Sequence, residues 1–266
     1  VIRVTGKGYI VDPTNYRTIL PFKSQKMRSL RVVLMAACVL SVFSLRAQTA
    51  DEIVNKHIEA LGGKDKLAGI KTIYTEYDLE VMGQQVAGVT WLVNGKAYKN
   101  EVNLGGQKII QCFTDQGGWG INPMAGQTAA EALPEDQVKA GKAQLDAGGP
   151  LFNYAAKGNT IELIGKEASG TIQAFKLKLK TKDSVETFFW IDPATYYVVK
   201  SSVKTNMQGT EVETTIAFSN YKKTEYGFVM PTTTEVNMSQ GLVLNITSKK
   251  TEINKDVDMK LFEMPK

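Results

Sequence analysis

The chain has 266 residues, with 32 Lys and Arg against 27 Asp and Glu, two Cys, one His and a formal charge of +5. Two Cys and one His cannot supply the about four Cys/His ligands of a structural zinc site, nor a framework of several disulfides. An apolar fraction of 43% excludes a disordered chain and can fill a large core, so one folded unit is expected.

From Met27 the order is a cationic stretch to Arg31, an apolar run from Val32 to Leu45, and then Arg46-Ala47-Gln48. That is the plan of a secretory signal peptide, with cleavage after Ala47 or Gln48. The apolar run falls short of the about 20 residues that span a bilayer, which favours a cleaved signal over a retained anchor. Residues 1–26 carry no apolar period and read as an upstream or processed segment. Leu34-Met35-Ala36-Ala37-Cys38 has the form of a lipoprotein processing box. The apolar run Val39 to Leu45 that follows, where an acylated protein needs a polar tether, favours soluble export over anchoring through Cys38. The expected organisation is an upstream segment (1–26), a signal peptide (27–47) and a single domain (48–266).

The charge belongs to the leader. Residues 1–47 hold eight basic side chains and one acidic, so the remainder carries 24 basic against 26 acidic groups, a formal charge of −2, and no Arg. Arg is the side chain suited to bidentate phosphate and base-edge contacts, so a nucleic-acid partner is not expected. One thiol, Cys112, remains, and no internal disulfide can form.

Thr49-Ala50-Asp51-Glu52 has the capping-box spacing that opens a helix. Ile53, Val54, His57, Ile58 and Leu61 share one face of that helix, and Gly62-Gly63 end it, with a further turn expected from Gly63 to Ala68. From Ile70 the period becomes two. Strands are predicted around Ile73 to Val81, Val86 to Val93, Tyr98 to Leu104 and Lys108 to Thr114, joined by Gly83-Gln84, Asn94-Gly95 and Gly105-Gly106 as an antiparallel meander.

An insertion follows. Gly117 to Pro123 reads as a Gly-rich bend around Trp119, and Met124 to Leu133 as a polar connection. Pro134-Glu135-Asp136 opens a helix to about Leu145, Gly148-Gly149-Pro150 stop it, and Leu151 to Ala156 is expected as another short helix. Strands resume at Thr160. Phe175, Leu177 and Leu179 alternate with Lys176, Lys178 and Lys180, one face apolar and the other cationic, as in an antiparallel sheet with one wet face. Ser184 to Ile191, Tyr196 to Thr205, Glu211 to Tyr221, Phe228 to Met238 and Leu242 to Ile253 complete about eleven strands.

So many strands must curl, split or close. The residues predicted to face inward are Leu79, Val81, Leu92, Phe113, Phe175, Leu177, Leu179, Phe189, Ile216, Phe218, Leu244 and Ile246. They form either a dry core or the wall of an apolar cavity, with the helix at Ala50 and the helix at Pro134 lying across the open side.

Catalytic signals are sparse. His57 sits on an apolar helix face and is expected to pack there rather than act as a general base. No G-x-S-x-G elbow occurs. The acid pairs Asp115 with Asp192, and Glu211 with Glu213, are expected in turns or on wet strand faces. Cys112 is expected as a buried small hydrophobe. The glycines at 105, 106, 117, 118 and 120 do not follow the strand-to-helix G-x-G-x-x-G pattern of nucleotide sites. No metal or cofactor is expected.

The order of motifs resembles exported outer-membrane lipoprotein-sorting proteins, similar to LolA-type periplasmic lipoprotein carriers. The resemblance rests on the leader ending Arg46-Ala47-Gln48, the helix Ala50 to Lys64, the strand and bend Gln107 to Pro123, the strand and turn Phe188 to Tyr196, and the ending Leu261-Phe-Glu-Met-Pro. It implies a mainly β fold, a large curled antiparallel sheet making an unclosed barrel with short helices over its mouth. It also implies a non-enzymatic, monomeric periplasmic carrier whose concave face binds the acyl chains of lipoproteins or another lipid, handed between a membrane-protein donor and acceptor. Trp91, Phe113, Trp119, Phe175, Phe189 and Phe218 are the residues expected to line or rim that cavity. The arginine that helps hold the lid in such carriers has no counterpart after residue 47. Two alternatives are an envelope interaction module with a filled core, and a hydrolase, which would need two carboxylates converging in a cleft.

Overall fold

The computed structural model describes residues 48–81, 83–207, 210–238 and 241–265. The expected upstream segment, signal peptide and Cys38 lie outside the described residues.

The chain opens with helix α1 (Ala50–Ala60). Thr49 and Glu52 cap it reciprocally, the Glu52 amide donating to the Thr49 hydroxyl at 3.1 Å and the Thr49 amide to the Glu52 carboxylate at 3.3 Å. Ile53, Val54, His57 and Ile58 are its buried residues, the face predicted from spacing. A short helix α2 (Lys64–Ala68) follows.

Thirteen strands then form one antiparallel sheet: β1 (Thr72–Val81), β2 (Gln84–Val93), β3 (Ala97–Leu104), β4 (Gln107–Thr114), β5 (Gly118–Ile121), β6 (Glu131–Ala132), β7 (Thr160–Ser169), β8 (Ile172–Lys180), β9 (Glu186–Ile191), β10 (Val198–Met207), β11 (Thr210–Lys223), β12 (Val229–Met238) and β13 (Val243–Ile253). Their order is β6-β5-β4-β3-β2-β1-β13-β12-β11-β10-β9-β8-β7, so the two halves of the chain join through β1 and β13, and among the described residues β6 and β7 are the edges of the sheet. The sheet curls without closing. Helix α3 (Glu135–Gly141), continued by a 3-10 turn at Lys142–Leu145, belongs to the insertion between β6 and β7.

Two of the thirteen strands, β5 and β6, were not expected. The segment Gly117 to Pro123 reads as a bend because glycine favours turns, yet Gly118 and Gly120 serve close approach instead. A Cβ at Gly118 would lie 2.9 Å from the Cys112 carbonyl oxygen, and one at Gly120 would lie 3.0 Å from that of Ile110, with the Leu133 side chain against both glycines. Leu151 to Ala156 is likewise not a helix. Only Ala155–Lys157 makes a 3-10 turn, because Gly149 and Asn153 take left-handed backbone angles and Leu151 and Phe152 turn into the core.

Strand register places all twelve predicted inward residues on one face. Phe175 and Leu177 pair with Ile191 and Phe189, Phe189 with Ser201, Ser201 with Ile216, Ile216 with Val236, Val236 with Leu244, and Leu244 with Val81. The helices cover one end of this face. Ile53, Val54 and Ile58 of α1, Leu67 of α2, and Leu151 and Phe152 pack with Phe175, Leu177, Leu179, Phe189, Ile191 and Phe228. Farther along the strands the same face carries half-buried apolar side chains at Leu79, Val81, Val86, Ile216, Val236, Leu244 and Ile246, none of which joins either core cluster, with Ser201 and Thr234 among them.

The opposite face carries ion pairs across β7, β8 and β9. Lys176 meets Glu167 at 2.7 Å, Lys178 meets Glu162 at 2.9 Å, and Lys180 meets Glu186 at 4.0 Å, the wet lysine row predicted from alternation. That face also holds a second core of Ala97, Cys112, Trp119 and Phe262, flanked by Trp91 and Leu261. The C-terminal 3-10 turn Met259–Phe262 crosses these strands as a strap. The Phe262 carbonyl accepts from the Trp119 indole at 2.8 Å and the Cys112 thiol at 3.5 Å. The Leu261 carbonyl accepts from the buried Lys99 ammonium at 3.1 Å, which also pairs with Glu101 at 2.8 Å.

Candidate functional site

The concave face holds a cavity of about 300 Å³ beneath α1, at the small end of the range of ligand sites. His57 and Leu61 form its roof, Ile73, Phe189, Val198 and Phe218 its floor, and Tyr221 with Phe228 to Pro231 one wall. The loop Asp146 to Leu151 makes the other. Most of these side chains are apolar, which suits burial of hydrocarbon and offers little to a polar substrate.

The Asn94-Gly95 hairpin tip fixes that loop. The Gly95 amide donates to the Leu145 carbonyl at 2.7 Å, and the Ala147 amide donates to the Asn94 side-chain oxygen at 3.1 Å. The Asn94 side-chain amide also donates to the Ile70 carbonyl at 3.1 Å, just before β1. Lys157 closes the loop from the other side, binding the Asp146 carboxylate and the Gly149 carbonyl, the latter at 2.8 Å.

Helix α1 is tied to the sheet without a salt bridge among the described residues. His57 Nδ1 lies 2.8 Å from the Tyr196 carbonyl, so this nitrogen is the donor. The Lys56 ammonium lies 3.2 Å from the Tyr196 hydroxyl, and the Val229 amide donates to the Leu61 carbonyl at 2.9 Å. Burial holds the His57 imidazole below its ordinary pKa of 6.5, an effect the Tyr196 carbonyl partly opposes. The unfolded chain therefore takes up a proton before the folded one does, and the contribution to stability is lost as pH falls below about 6.5. Urea titrations at stepped pH should show unfolding free energy dropping by at most about 1.4 kcal/mol per pH unit in that range. His57→Asn, which keeps a donor for the Tyr196 carbonyl but cannot titrate, should be flat over pH 5.5 to 7. An equal slope in both proteins would assign the dependence to another group.

The six aromatic candidates fall into three groups. Phe189 and Phe218 line the cavity. Phe175 and Phe113 share its face but are packed away from it, Phe175 stacked on Tyr196 with ring centroids 6.4 Å apart and Phe113 beneath Gly141, where any Cβ would enter its ring. Trp91 and Trp119 sit on the opposite face, under the C-terminal strap, where Lys99 lies 5.8 Å and 5.4 Å from their rings. Register explains the division between faces: Trp91 pairs with Lys99, Lys99 with Cys112 and Cys112 with Trp119, one parity away from Leu92, Tyr98 and Phe113. Sequence reasoning missed Tyr221 at the end of β11, Phe228 in the turn after it, Met230 and Pro231 at the start of β12, and the loop at Asp146, which it read only as a helix stop.

The acid pairs do not converge. Asp115 is exposed in the turn after β4, and Asp192 accepts from Ala194 and Thr195 within its own turn. Glu213 is exposed and accepts from the Ser202 hydroxyl at 2.6 Å, while the side chain of Glu211 lies outside the description. Cys112 is buried, as predicted.

A curled, unclosed antiparallel sheet with helices on its concave face is found in several solved structures. A LolA superfamily protein, NE2245 from Nitrosomonas europaea, matches with a TM-score of 0.53 and 14% identity over 82% of this chain and 98% of that one. The chain has a LolA-type fold. A putative outer membrane lipoprotein-sorting protein domain from Vibrio parahaemolyticus matches at TM-score 0.51 and 13% identity, over 79% of this chain and 94% of that one. A DUF1329 family protein from Desulfovibrio piger shares the LolA-type architecture at TM-score 0.53 and 14% identity, over 82% and 98% of the two chains. No protein-family model and no curated protein matches the sequence, so the likeness is one of fold.

Proposed function

We propose that this protein is an exported, non-enzymatic carrier of the periplasm that holds the acyl chains of lipoproteins, or of another lipid, on the concave face of its sheet. The observation that carries the reading is the cavity beneath α1, apolar on its sheet floor and continued along the strands by the half-buried strip from Phe218 through Ile216 and Val236 to Leu244, Ile246 and Leu79. A half-exposed apolar strip is costly unless something covers it, and an acyl chain gains about 0.8 kcal/mol for each methylene it buries. Hydrogen bonds from α1 and from the Asn94 hairpin hold the cover in place of an arginine. Parting of helix α1 from the Asp146 loop would widen the cavity for cargo, and a membrane-protein donor and acceptor would drive that opening.

Mass spectrometry of the protein purified from a bacterial envelope should find co-purifying acyl lipid at a substantial fraction of one per chain. A lipid-free protein that also fails to bind a fluorescent fatty acid would refute the carrier role. The packed end of the same face favours the second reading, an envelope interaction module filled by its own side chains, and that result would support it.

A further inference from the structure

A second cavity, of about 600 Å³, lies on the other flank of α1, between that helix and residues 151–156. Val54, Ile58 and Phe152 give it an apolar floor, and Leu151, only 4% exposed, lines both this groove and the cavity beneath α1. The groove has a polar rim. Asp51 there is bound by the Tyr154 hydroxyl. Asn55, Glu59, Lys64 and the Asn153 side chain make no hydrogen bond or ion pair among the described residues, so four polar side chains face the space uncommitted.

We infer that this groove is a head-group site, taking an uncharged, hydrogen-bonding head whose single acyl chain passes Leu151 into the cavity beneath α1. The inference rests on the carrier reading and names the class of amphiphile. Two features select the head. The rim holds two carboxylates and one ammonium, a balance that repels phosphate, and no Arg is present to form a bidentate phosphate contact. Two side-chain amides, at Asn55 and Asn153, can each donate and accept, which matches hydroxyl or amide groups. The split between apolar chamber and polar rim is the pattern of sites in which burial supplies affinity and a few polar groups set orientation.

The test compares lipids of one chain length by displacement of a fluorescent fatty acid from the full domain. The probes are a monoacylglycerol and an N-acylglycinamide, which separate a hydroxyl head from an amide head, and a lysophosphatidate. At least one neutral lipid should bind about tenfold more tightly than the lysophosphatidate, the effect of one like-charge contact near the surface. Glu59→Lys, a change at an exposed helix position, should narrow that gap by about tenfold. Equal binding of all three lipids, a preference for the phosphate, or a gap unchanged by Glu59→Lys overturns the head-group site and leaves the carrier reading standing. Binding of none of them overturns both.

Discussion

Phe262→Ala should lower the unfolding free energy by about 3–5 kcal/mol, the usual cost of emptying a buried phenylalanine site. Phe262 is 3% exposed and fills the strap that covers Ala97, Cys112 and Trp119 on the outer face. Its loss also changes a chemical readout. Burial pushes the Cys112 thiol up to about 11, against the opposing pull of the Lys99 ammonium. Wetting the site should bring the thiol back towards its ordinary value and speed its reaction with a disulfide reagent at pH 8. Urea unfolding and thiol kinetics check the two halves independently. A variant as stable as the wild type, with an equally silent thiol, would mean that the strap is a passive tail.

Phe218→Asp should weaken acyl-chain binding by about ten- to a hundredfold, since a buried phenylalanine contact contributes about 1.5–3 kcal/mol. The carboxylate adds a desolvation cost to any hydrocarbon placed against it. Phe218 is half-buried, at the point where the cavity meets the open apolar strip, so the fold should lose less than binding does. Lys178→Ala, on the wet face of the sheet, should leave binding unchanged. Fluorescent fatty-acid titration of both variants decides the matter: equal affinity in Phe218→Asp and wild type would place the lipid elsewhere.

Much of the architecture was legible because a period of two is unambiguous. The alternation of Phe175, Leu177 and Leu179 with three lysines predicts one dry and one wet face, and register agrees on all twelve inward positions. The capping box at Thr49 was equally plain, because its reciprocal bonds join residues three apart. The aromatic candidates were harder. Trp91 and Leu92 are neighbouring large side chains that both favour burial, and no local pattern tells which of them faces the concave side. That depends on what covers each face, and the cover for Trp91 and Trp119 comes from Leu261 and Phe262, more than 140 residues away from either. The cavity wall at Asp146 to Leu151 was illegible for a similar reason. Gly148-Gly149-Pro150 says where a helix ends, but the hairpin tip at Asn94 decides where the loop goes.

The ends of the sheet, β6 and β7, are not bonded to each other. In a closed barrel, strand number and shear fix the bore, and a wider guest must break a ladder. Here the girth can change by bending alone, with the β1 to β13 seam acting as the spine of the curl and every backbone pair kept. In the proposed carrier, the size limit on a guest would then be set by the ties of α1 to Tyr196 and Val229 and of the Asp146 loop to Asn94. Guests of different bulk would differ in how much of that cover they lift, and one binding face could serve a graded series of chain lengths with no change in strand pairing.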